Sequence, residues 1–155
     1  MVPSNRSLQT YARPAFAVIC ILLLIAPLFF ISQIMLDVLG RPELSAFGVE
    51  GQNILTHTPL FSLVAPYLRV PLIALTLILL LRRSDWTAIT FLLATLIHLT
   101  SWIIILGNAY FTLPTGYLTL ALEAVGIYLL VRYPELRGPR AEAAARDKVR
   151  AVSGR

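Results

Sequence analysis

Three ionisable side chains fall inside otherwise apolar stretches of the sequence: Arg69, His98 and Glu123. An arginine beside a glutamate can form a charge-assisted pair, and a histidine alongside can relay a proton or hold a polar group. In hydrocarbon an ionisable residue costs roughly 2.5–3.5 kcal/mol on insertion scales, so each of the three calls for a partner or a task. Helical spacing puts small and hydroxyl residues around each one. Arg69 shares a face with Ser62, Ala65 and Thr76, His98 with Ala94, Thr95, Ser101 and Trp102, and Glu123 with Gly116, Thr119 and Gly126. Such residues let membrane helices approach and hydrogen-bond. The expectation is a buried polar cluster of Arg69, His98 and Glu123, with Ser101 and Thr95 beside it, able to bind a proton, an ion or a polar ligand. The plainer alternatives keep them apart: Arg69 snorkelling outward, Glu123 a neutral acid on a backbone carbonyl, and His98 bonded to Ser101 or Thr95.

The elements that must position these residues follow from composition. Of 155 residues, 57% are apolar and 14% charged, against roughly a quarter charged in soluble domains. The charges are gathered at the ends and connections. That pattern predicts an all-α polytopic membrane protein. A span needs about 20 residues, and four stretches qualify, at 14–39, 60–81, 86–106 and 113–131, forming a four-helix transmembrane domain over 1–132. Pro14 is expected in the first turn of span one, with Pro27 kinking it. Pro66 and Pro71 would make the outer half of span two irregular, because Ser62 and Tyr67 lose their helical donors. Arg82, Arg83, Ser84 and Asp85 make a tight turn, so spans two and three should be antiparallel neighbours. Counted along these spans at about 1.5 Å per residue, Arg69, His98 and Glu123 all lie about 12–15 Å below the outer surface.

Direction comes from the basic residues. With the N-terminus inside, the cytoplasmic side receives Arg6, Arg13, Arg82, Arg83, Arg132, Arg137, Arg140, Arg146, Lys148, Arg150 and Arg155, and the outer side only Arg41. By the positive-inside rule both termini are cytoplasmic, in a multi-pass protein of the bacterial inner membrane. Trp86, Tyr110, Tyr117 and Tyr133 stand near span ends as interfacial anchors. A cleaved signal at the N-terminus is the competing reading. The apolar run is long for one, and removing it would reverse the loops.

The outer loop 40–59 is long and its segment from Ser45 to Gly51 suits a short amphipathic stretch on the surface. Gln33 and Asp37 share a face near the outer end of span one, with Asp37 read as a solvated helix terminus. The tail, 133–155, is basic. Ala141 to Val152 can form a helix supported by Glu142 and Arg146, and its cations suit anionic lipid.

Several chemistries are unsupported by the residues. Cys20 is the single cysteine, so disulfide, thiol-redox and zinc motifs are absent. His98 is the single histidine within a span and His57 lies in the outer loop, which argues against a bis-histidine haem. No catalytic motif, cofactor or metal is expected, and nothing points to nucleic acid. Two classes are left. One is an accessory or subunit protein acting through helix packing and partner contacts, as a homo-oligomer or within a larger membrane complex. The other is a small proton-coupled transporter using the Arg/His/Glu cluster.

Overall fold

A computed structural model describes residues 5–41, 58–105 and 114–153. Among them the chain is helical, with no strand. In order the elements are α1 (Asn5–Val38), α2 (Leu60–Leu81), α3 (Thr87–Ile105), α4 (Pro114–Arg132), a 3-10 turn (Pro134–Leu136) and α5 (Pro139–Ser153). Three of these helices are long and apolar enough to cross a membrane: Tyr11–Leu36 within α1, all of α2 and all of α3. α1 packs on α2 and α4, and α3 packs on α2 and α4. The segment from Ser45 to Gly51, His57 and Tyr110 lie outside the described residues, as does the side chain of Asp37.

Two expectations about prolines need correcting. α1 starts at Asn5, ahead of Pro14, so this proline lies inside the helix. Ala12 and Phe16, on either side of it, are both buried in the core, and that packing offsets the one backbone bond that the ring removes. α2 also runs without interruption through Pro66 and Pro71. Its neighbours α1 and α3 hold it along its length, so the lost donors at Ser62 and Tyr67 do not unwind the turn.

The hairpin of α2 and α3 is antiparallel. Ser62 reaches Ser101 while Thr76 reaches Thr90, the contacts running in opposite directions along the two helices. α2 ends in a Schellman motif. The Arg83 N–H donates to the Leu80 carbonyl at 3.2 Å and the Ser84 N–H to the Leu79 carbonyl at 2.9 Å. Arg83 occupies the left-handed position, φ 54°, where glycine is usual. Ser84 then starts α3, its carbonyl accepting from both the backbone N–H and the hydroxyl of Thr87.

The interior is layered. Nearest the α2–α3 turn lies an apolar layer of Phe16, Leu23, Ile73, Leu80, Phe91, Leu130 and Leu136. Phe16 and Phe91 meet at 5.0 Å between ring centroids, tilted by 54°. Gly126 permits this, since a Cβ there would overlap the Phe91 ring. Within this apolar layer, between Ile73 and Leu80 along α2, Thr76 and Thr90 bond at 2.9 Å. Beyond it lies the polar cluster.

The outer surface is the inverse of a water-soluble protein's. Ile21, Ile25, Leu28, Leu68, Leu75, Ile89, Leu96, Ile103, Leu118 and Val125 are all exposed, while Ser62, Arg69, Thr76, Ser101 and Glu123 are buried. Only 22 to 28% of each apolar window is buried within the fold. Burial among the helices therefore accounts for a minority of the apolar residues, and the rest require an apolar surrounding.

Candidate functional site

Each member of the cluster arrives on its own helix. Arg69 is on α2, His98 on α3 and Glu123 on α4. Gly116, one face-turn before Thr119 and Glu123, is covered by the Trp102 ring, which leaves no room for a side chain. Trp102 in turn meets Tyr117 edge-on at 5.1 Å. These contacts bring α3 and α4 close at the level of the cluster.

Glu123 sits at the centre, 2% exposed. Arg69 Nη2 donates to Glu123 Oε1 at 2.7 Å, and His98 Nδ1 lies 2.8 Å from Glu123 Oε2, to which it donates when the carboxylate is ionised. Both carboxylate oxygens are thus engaged, one by a cation and one by an imidazole N–H. Holding the proton on Nδ1 directs the second ring nitrogen, Nε2, away from the carboxylate. Arg69 is 4% exposed and meets Glu123 through one nitrogen rather than a two-pronged fork. Its Nε is buried and bonds no described residue.

The five residues named from sequence do not all converge. Arg69, His98 and Glu123 touch. Ser101 is buried one turn further along α3, and its backbone carbonyl accepts from the Ser62 hydroxyl at 3.4 Å. Thr95 is buried, yet its hydroxyl bonds neither His98 nor any other described residue. Arg69 therefore does not snorkel, and His98 takes Glu123 in preference to Ser101 or Thr95. Gln33 is buried, with its amide donating to the Ser32 hydroxyl at 3.2 Å.

A partly open cavity of about 160 Å³ adjoins the cluster. Arg69, His98, Ser101 and Thr119 supply its polar lining, and Pro27 and Ala65 part of its apolar wall. Four helices contribute to it, so it is a property of the packed fold and of no single element.

Two features escaped the sequence reading. The Thr76–Thr90 bond was signalled by Thr87, Thr90, Ala94 and Ser101 recurring at helical spacing on one face of α3. The second joins the tail to the α2–α3 turn. Asp85 Oδ1 accepts the Arg140 backbone N–H at 3.0 Å, and Asp85 Oδ2 lies 3.4 Å from Arg140 Nε. Gly138, at φ 110°, allows this approach, because a Cβ there would run into the Asp85 backbone. Leu136 is buried in the apolar layer just before it. No local pattern marks this latch, since its partners are 55 residues apart.

No known protein family, curated protein or solved structure matches the chain. Its function has to be argued from this geometry.

Proposed function

We propose that the chain is a four-helix transmembrane bundle of the bacterial inner membrane, with both termini cytoplasmic, working as a non-enzymatic accessory or subunit protein. The closed contact of Arg69, Glu123 and His98 carries this reading. At about 1.5 Å per residue the 19 residues of α4 reach roughly 28 Å. Its carboxylate is hidden from the surroundings, while Tyr117, Leu118, Val125, Tyr128 and Val131 face outward. A helix whose one buried charge is satisfied by two neighbours can enter lipid at little cost. Arg82 and Arg83 in the turn and Arg132, Arg137 and Arg140 after α4 then share the cytoplasmic side. The membrane domain is residues 1–132 and the basic tail 133–155, which meets anionic headgroups.

In this role the polar cluster specifies which helix faces meet. Removing one member of a buried pair leaves an uncompensated charge, typically about 3–5 kcal/mol, whereas an apolar replacement of both can be neutral. Such a pair sets packing more than it adds stability. Partners of the bundle are a second copy or a larger membrane complex, reached through its outward apolar faces.

One observation favours a second reading, a small proton-coupled carrier: His98 links the carboxylate to the cavity. Glu123→Gln separates the two. A packing role predicts that Glu123→Gln folds and supports partner assembly while Glu123→Ala loses thermal stability. A carrier predicts that both variants fold and both lose proton coupling in reconstituted vesicles.

A further inference from the structure

The cavity beside the cluster has an imbalance of hydrogen-bonding groups that points to what fills it. Arginine carries five N–H donors. Among the described residues Arg69 gives one bond, to Glu123, and its buried Nε gives none. Ser101, also on the cavity wall, adds a hydroxyl. Acceptors are scarcer. Both Glu123 oxygens are taken and the Ser101 carbonyl is taken by Ser62, which leaves the second ring nitrogen of His98 on the cavity wall as an acceptor when Nδ1 carries the proton. The cavity therefore has donors to spare, and a buried donor without an acceptor is costly.

Charge narrows the choice. Arg69 is matched by Glu123, and an incoming anion would lie against the carboxylate. A neutral acceptor suits the site better. Size narrows it again: about 160 Å³ is close to the roughly 150 Å³ of an engineered cavity that admits benzene. The rest of the lining is apolar, with Pro27 from α1 and Ala65 from α2, and the helices around it are apolar on their outward faces.

We propose that this cavity binds the carbonyl group of a neutral, membrane-dissolved molecule no larger at its head than a single six-membered ring. The carbonyl oxygen accepts from Arg69 and Ser101, and the small apolar wall receives the carbon frame. The carbonyl can belong to a freely dissolved compound or to the ester of a surrounding lipid. This proposal rests on the membrane placement above and adds a ligand class to it.

The test uses the full chain in lipid nanodiscs, titrated with cyclohexanone labelled with carbon-13 at the carbonyl and followed by its infrared stretch. The expected result is a saturable band at lower frequency than free ketone in lipid, with affinity about tenfold above that for methylcyclohexane, the gain of about one buried hydrogen bond. Ala65→Leu fills the cavity and leaves all three members of the cluster in the chain, and it should weaken binding about tenfold. Should that variant misfold, Ser101→Ala takes its place, with a smaller frequency shift expected. In ether-lipid discs a tighter ketone affinity than in ester-lipid discs identifies the lipid ester as the resident carbonyl; equal affinities identify a dissolved compound. Methylcyclohexane binding as well as the ketone, a band that does not shift, preference for benzoate, or binding unchanged by cavity filling would each overturn the proposal. Any of these results in a chain that stays folded in the disc leaves the membrane reading standing. A chain that will not enter the disc refutes the membrane reading and the ligand inference with it.

Discussion

At the scale of single residues, Glu123 is the point on which the interior turns, because both its oxygens are engaged from different helices. Pair coupling measures this directly. Arg69→Met and Glu123→Leu each leave a partner charge buried and should cost about 3–5 kcal/mol, while the double variant should cost less than their sum by about 1–3 kcal/mol. Additive losses in thermal or denaturant unfolding would mean the two side chains do not act as a pair. Gly126 makes a separate prediction. Gly126→Ala drives a methyl group into the Phe91 ring and should destabilise by about 1–3 kcal/mol, and Phe91→Leu in the same chain should recover part of the loss. The helical faces of Arg69, His98 and Glu123 were legible in the sequence because serine, threonine and glycine recur beside them at spacings of three, four and seven. Which nitrogen meets which oxygen was not legible, nor was the isolation of Thr95, since rotamers follow from three-dimensional packing.

Among the elements, the positions of α2, α3 and α4 were legible as apolar runs set off by proline, charge and turn residues. The prolines inside α1 and α2 could not. Local rules treat a missing N–H as a break, and here the neighbouring helices outweigh it. The α2–α3 turn shows the reverse, a local device placed with an unfavourable residue. Arg83 adopts the left-handed conformation at a cost of roughly 1 kcal/mol, so Arg83→Gly should stabilise the chain by up to about that amount in thermal unfolding. A loss of stability instead would mean that the arginine side chain contributes more than its backbone strain costs. The tail latch is weaker. Arg140 is almost fully exposed, so Asp85→Ala should leave global stability nearly unchanged. It should nevertheless speed trypsin cleavage near Arg140, since the carboxylate also holds the backbone there.

For the whole molecule, the distribution of polarity decides the reading. Leucine and isoleucine line the outside of the helices, and the buried side carries the hydroxyls and an ion pair. An apolar solvent suits that arrangement, and in the proposed membrane setting the arginines give its direction. Composition carried the all-helical class, as the charged residues other than Arg69, Glu123 and Asp37 lie in the ends and connections of the apolar blocks. The central claim is a bundle set in lipid with its arginine-rich turn facing the cytoplasm, and labelling of that turn tests it most directly. Cys20 is the one cysteine and is buried, so Cys20→Ala gives a clean background for Ser84→Cys. The account predicts that a membrane-impermeant maleimide labels this position only after the cells are opened. Labelling in intact cells would contradict it.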